Sequence, residues 1–213
     1  MRRFPSRTCR SPTERRFPSR SAATGATLGE VSRPDLESRG PDGQSALERA
    51  VARDEIRQLA CRYAQAVDAR DLDALVALFV PDVKVGRELS GREALRESFE
   101  ASLSAIGVSV LFVGNHVIDF QDPTHAEGGV YCRGQIQDGE RWVEQAIHYH
   151  DRYERRDEGW LFVRRIHRLW YGVETAERPL DQPPANWPEH HAGRGTLPEA
   201  WESWQAFWDR GGR

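Results

Sequence analysis

Two side chains have the types and settings that proton transfer requires. His116 sits in a run of period two, where Val110, Phe112, Gly114, His116, Ile118 and Phe120 share one face. The opposite face carries Ser109, Leu111, Val113, Asn115, Val117 and Asp119. The first face is the more apolar, so the imidazole is expected beneath a layer of helices, partly desolvated and therefore neutral and basic. Most histidines so placed are core residues with satisfied nitrogens. Asp68 closes the first helical segment directly after Val67. A helix C-terminus disfavours a carboxylate, so some other group must hold it. An inward histidine oriented by a carboxylate makes a general-base pair. The two residues lie too far apart in sequence for spacing to show that they meet.

Further candidates surround this pair. Phe112 shares the face of His116 and is expected to wall a pocket. Tyr63 and Tyr149 are candidate donors to a substrate oxygen, although each serves equally well as core. Tyr149 falls on a face with Val143, Ile147 and Tyr153, taken as the inner one. The string His148-Tyr-His-Asp151 invites a metal site. However, His148 and His150 share the polar face with Trp142, Glu144 and Arg152, so they are expected to point outward and bind no metal. His190 and His191 read as solvated loop.

The elements that must position these groups follow from periodicity. Ala50, Ile56, Leu59, Ala60, Tyr63 and Val67 recur at helical spacing. Asp71 is a plausible N-cap for a second helix through Leu72, Leu75, Val76 and Phe79, stopped by Pro81. A short strand is expected over Val83–Val85. Ser90 with Glu93 reads as a capping box for a third helix to about Ile106. The period then becomes two, over Val110–Phe120, His125–Ile136, Arg141–Glu154 and Trp160–Tyr171, separated by turn-forming strings. Helices first and a meander of long strands afterwards predict an α+β fold, with helices packed on one face of a curved, mostly antiparallel sheet.

Residues 1–43 are rich in Arg, Ser, Pro and Gly, repeat the string RRFPSR, and read as a disordered basic tail. Proline in that stretch argues against an amphipathic transit peptide, and it has no apolar core for a secretory signal. It is expected to be dispensable, as upstream sequence translated from a wrong start would be. Residues 44–174 form the expected domain. Residues 175–213 read as a Pro-rich connector and a helix, Pro198–Asp209, with Leu197, Trp201, Trp204 and Trp208 along one stripe. That stripe either packs on its own domain or a neighbouring subunit, or serves as a lid.

The net charge of −3 gives no reason to expect a nucleic-acid partner, and no apolar run is long enough to span a membrane. Three scattered cysteines make no disulfide framework, so a reducing cytoplasm is expected. Nearly every basic residue is arginine, with Lys84 the only lysine, which hints at a GC-rich bacterial gene.

The strings RYAQAVDARDLDALVALFVPDV, GREAL, GNHVIDF and YHDRYERRDEGWLFVRR, in this order, resemble the SnoaL-like family of the nuclear transport factor 2-like superfamily. The resemblance implies a cone fold shared with scytalone dehydratases, hexachlorocyclohexane dehydrochlorinases, ketosteroid isomerases and polyketide cyclases. By position, it places Asp68 and His116 where the dehydratase and dehydrochlorinase branch keeps its Asp–His dyad. It places Arg165 where the dehydrochlorinases keep an arginine. The second pocket histidine of the dehydratases has no counterpart, since the corresponding strand offers Cys132, Gly134, Gln135 and Ile136. The implied activity is a cofactor-independent lyase or isomerase on a small, mostly apolar oxygenated substrate such as a polyketide, steroid or aromatic intermediate. The alternative is a non-catalytic ligand-binding or partner-subunit member. Self-association as a dimer or trimer is expected, because an open sheet usually hides its convex face against a copy.

Overall fold

The computed structural model describes residues 44–186 and 188–210; the expected N-terminal tail lies outside them. Helix α1 (Ala46–Asp68) opens with a capping box, in which the Glu48 N–H donates to Ser45 Oγ and the Ser45 N–H donates to Glu48 Oε2. It buries Ala52, Ile56, Leu59, Ala60, Ala64 and Val67. The helix ends where Arg70 takes a left-handed φ of 56°, with the Asp71 N–H returning to the Ala66 carbonyl. Helix α2 (Leu72–Ala77) is capped as expected, Asp71 Oδ1 accepting from the Ala74 N–H.

The hairpin that follows, β1 (Lys84–Val85) with β2 (Leu89–Ser90), corrects one expectation. Ser90 is engaged in β2 opposite Lys84 and caps nothing. The N-cap of α3 (Arg92–Ser104) is Gly91, at φ 98° and without a side-chain cap. Only glycine reaches that backbone conformation cheaply, and it turns the chain from hairpin to helix.

Four long strands, β3 (Ser109–Phe120), β4 (His125–Asp138), β5 (Arg141–Arg156) and β6 (Gly159–Thr175), pair antiparallel in sequence order. The fold is therefore the expected α+β cone, with helices against a curved antiparallel sheet. Ile56, Leu59, Phe79, Val83, Ile118, Tyr153, Trp160 and Phe162 form the largest core cluster, and Tyr63 touches three of the four clusters.

The sheet does not keep a uniform period of two. Between Val113 and His116, β3 advances three residues while β4 advances two, from Cys132 to Val130. This bulge at Gly114 and Asn115 shifts the inward set from Ser109, Leu111 and Val113 to His116, Ile118 and Phe120. Strand β6 carries two similar irregularities, at Val163 and Trp170.

After β6 the chain forms a short turn of 3-10 helix (Pro179–Asp181) and helix α4 (Glu202–Arg210). Trp204 packs with Val108 and Trp142, Phe207 packs against Val67, Leu72 and Leu75, and Ser203 Oγ donates to the Ala69 carbonyl at 2.8 Å. The Trp-rich helix thus docks on its own domain. It also buries Trp142, which periodicity alone places on the polar face. Leu197, assigned to its stripe, is exposed, and Phe207 takes the inward position instead. No helix among the described residues is long and apolar enough to cross a membrane.

Candidate functional site

The end of α1 and the start of β3 are tied together by Asp68. Its carboxylate accepts from Ser109 Oγ at 2.9 Å and from the Leu111 N–H at 2.9 Å. Buried Arg70 donates to the same Ser109 hydroxyl at 3.0 Å and to the Val67 and Gly107 carbonyls, with its guanidinium 4.9 Å from the Trp204 ring. These contacts supply what a carboxylate at a helix C-terminus needs. Burial nevertheless dominates and raises the Asp68 pKa to about 6, against the two hydrogen bonds and Arg70.

His116 faces inward as expected, but it stands five residues beyond Leu111, on the order of 15 Å along the strand. It meets Tyr153, whose hydroxyl lies 3.0 Å from Nε2 and donates to Asp151 Oδ2 at 2.8 Å. With the phenolic proton committed to Asp151, the imidazole donates through Nε2 and keeps Nδ1 as a buried lone pair without a partner among the described residues. Burial first, and then the Arg165 and Arg57 charges, hold its pKa down at about 4, against the pull of Asp151. Asp68 and His116 therefore serve two separate networks and make no hydrogen bond to each other among the described residues.

The second network continues into the polar centre of the domain. Arg165 clasps Asp151 through Nε at 2.9 Å and Nη2 at 2.8 Å, and the two side chains are only 4% and 0% exposed. The guanidinium carbon lies 4.1 Å from the Tyr149 ring centroid, 4.3 Å from Tyr63 and 4.5 Å from Phe162. Its Nη1 has no hydrogen-bond partner among the described residues.

A cavity of about 720 Å³ opens beside this cation. Its lining includes Tyr63, Phe79, Leu95, Phe99, Tyr149, Arg165 and His167. Three residues singled out in the sequence, Tyr63, Tyr149 and Arg165, thus converge on one space. Phe112 does not join them. It is 58% exposed and lines a different concavity with Tyr131 and Tyr171, because the bulge puts it on the opposite face from His116. Burial raises the pKa of both Tyr63 and Tyr149, which keeps their hydroxyls protonated as donors. The His167 ring stands 5.5 Å from that of Tyr149, and burial followed by the Arg165 charge lowers its pKa, favouring neutral imidazole.

Asp151, Tyr153 and His167 were missed as site residues. Asp151 was hidden in a string that suggested metal. The alternation that placed Tyr149 and Tyr153 inward places Asp151 there too, and an inward acid calls for a buried cation. His148 and His150 point outward as expected, with His148 stacked on Tyr131 at 4.7 Å. The described residues contain no cluster of three or more potential metal ligands.

The shifts of Asp68 and His116 predict opposing pH dependences. A folded-state pKa of about 4 for His116, below its ordinary 6.5, gives stability that is present above pH 6.5 and lost as pH falls toward 4. A raised Asp68 pKa acts the other way, so lowering pH from about 6 toward 3.8 favours the folded state. His116→Gln should flatten the loss of stability on acidification, and Asp68→Asn should steepen it. Each change is expected to be on the order of 1–2 kcal/mol once partial exposure of the imidazole is allowed for. Urea denaturation from pH 7 to pH 4 measures both, and parallel profiles in the two variants would contradict the assignment.

Comparison with solved structures gives the same architecture. A hexachlorocyclohexane dehydrochlorinase, LinA-type3 from Novosphingobium barchaimii LL02, superposes with a TM-score of 0.56 at 22% identity, over 62% of this chain and 95% of that one. A protein provisionally assigned as a scytalone dehydratase, from Novosphingobium aromaticivorans DSM 12444, gives 0.55 at 22% identity, over 62% and 93%. At such identity the likeness is one of fold. A search of curated proteins found no match. The SnoaL-like domain family matches residues 48–166, more than half of the sequence. The chain belongs to the SnoaL-like domain family.

Proposed function

We propose that the Tyr63–Arg165 cavity binds a small, mostly apolar oxygenated molecule and that the chain acts on it as a cofactor-independent lyase or isomerase. The observation that carries this reading is the convergence of four groups on one cavity: a buried cation, two protonated tyrosines and a neutral histidine. In this arrangement His167 is the base and takes a proton from carbon next to a carbonyl. The charge that collects on the carbonyl oxygen meets a tyrosine hydroxyl, with the Arg165 cation behind the ring adding its field. Loss of a leaving group with its electron pair from the next carbon completes a lyase; return of the proton to another carbon completes an isomerase.

Asp68 and His116 have structural roles in this proposal, since each is committed to its own network. The rival reading, a non-catalytic ligand-binding or partner-subunit member, draws support from those same commitments, which leave no Asp–His base. Deuterium exchange next to the carbonyl of simple ketones such as 2-tetralone, followed by NMR in D2O, separates the two. Exchange above buffer is expected, falling on the order of a hundredfold or more in His167→Gln and persisting in Asp68→Asn and His116→Gln. A wild type that binds the ketone without exchanging it would favour the rival.

Self-association remains part of the proposal. Phe112, Tyr131, Leu169, Trp170 and Tyr171 are large, apolar and exposed on the sheet, and such a surface is suited to burial against a second copy. The free thiols of Cys61 and Cys132 suit a reducing cytoplasm.

A further inference from the structure

The cavity is walled by cations to an extent that its apolar chemistry does not require. Lys84, Arg152, Arg164 and Arg165 all line it, and no Asp or Glu does. Two of the four are already neutralised, Arg165 by Asp151 and Arg152 by Glu127 at 2.9 Å. Lys84 and Arg164 make no ion pair among the described residues. Asp119 and Glu127 line the neighbouring concavity that Arg164 also borders, yet neither is within pairing distance of it. The chain as a whole carries a net charge of −3, so this local excess runs against the average.

We infer that the substrate is a small organic acid, its carboxylate held at the cavity mouth by Lys84 and Arg164 and its apolar body against Tyr63, Phe79, Leu95 and Phe99. This deepens the proposed function and rests on the same cavity being the binding site. The geometry divides labour between the cations. Arg165, deep and fixed by aromatic rings, is committed to Asp151 and acts on a ligand through its field. Lys84, in the short hairpin, and Arg164, on the last strand, carry uncompensated charge toward solvent, where a carboxylate keeps part of its hydration. A carboxylate needs only one or two such contacts.

The test is a matched pair of probes, 2-naphthoate and its neutral isostere 2-naphthamide, titrated against the full chain by isothermal calorimetry. The acid is expected to bind about fivefold to tenfold more tightly than the amide. That ratio should shrink as NaCl rises from about 0.02 M to about 0.5 M. The double variant Lys84→Gln, Arg164→Gln should bring the ratio near one. Equal affinity for the two probes in the wild type would overturn the inference while leaving the cavity reading intact. A preference for the acid that survives the double substitution would likewise overturn it. Binding of neither probe would overturn both the inference and the cavity reading beneath it. Tighter binding of 2-naphthyl phosphate than of 2-naphthoate, beyond what its extra charge supplies at high salt, would replace the carboxylate with a phosphate.

Discussion

Arg165→Gln is expected to lower the unfolding free energy by about 3–5 kcal/mol, because it strands a buried carboxylate. Asp151 is fully buried and takes two hydrogen bonds from the guanidinium and one from Tyr153. Glutamine removes the charge and the planar fork together, leaving the Tyr153 hydroxyl to stabilise the anion. It also empties the slot among Tyr63, Tyr149 and Phe162 that the guanidinium fills. Arg165→Lys should recover only part of the loss, since an ammonium keeps the charge without the bidentate geometry. In the double variant Asp151→Asn, Arg165→Gln, no unpaired ion is buried, so the two losses should fall well short of additivity. Denaturant titration at neutral pH checks this through the midpoint at constant slope. A loss below about 1 kcal/mol in Arg165→Gln would mean that water reaches Asp151.

Phe162→Ala is expected to cost about 3–5 kcal/mol for a different reason. Phe162 is wholly buried, its ring centroid lying 5.1 Å from Phe79 and 5.4 Å from Tyr153. Its backbone also fastens the sheet to the segment after α2, with its N–H to the Leu78 carbonyl and its carbonyl to the Val80 N–H. Alanine keeps those backbone bonds but leaves a void under Arg165 and beside the cavity wall. Phe162→Leu, which fills most of the volume, should lose markedly less. Comparable losses in both variants would show that aromatic contact with the guanidinium, rather than volume, dominates at this position.

The long strands and the first helix were legible because they repeat. Each of the four long strands was placed to within a few residues, since alternation over ten or more positions leaves little ambiguity. The third helix start was misread because Ser90 and Glu93 have capping-box spacing, while the strand pairing that claims Ser90 is a tertiary fact. The site was half legible. Tyr63, Tyr149 and Arg165 surfaced, although Arg165 came only through resemblance, because two irregularities in β6 blur its alternation. The Asp68–His116 pairing rested on the family resemblance, matched by position, and position along a strand does not say which rung a helix end meets. Ser109 and Leu111 receive Asp68, and neither is a histidine. Phe112 was misplaced through a bulge for which Gly114 was the available signal.

That bulge also determines where the chain tolerates changes of length. The turn at Gln121 to Thr124 sits at a hairpin end, and a residue gained or lost there leaves each strand's facing intact. At Gly114 and Asn115 the extra residue is what keeps both halves of β3 facing the helices. Deleting it would invert the second half, sending His116, Ile118 and Phe120 to solvent and drawing Val117 and Asp119 inward. A single codon at this point is thus worth five side chains, so length should vary freely at the hairpin tips and stay invariant across the bend.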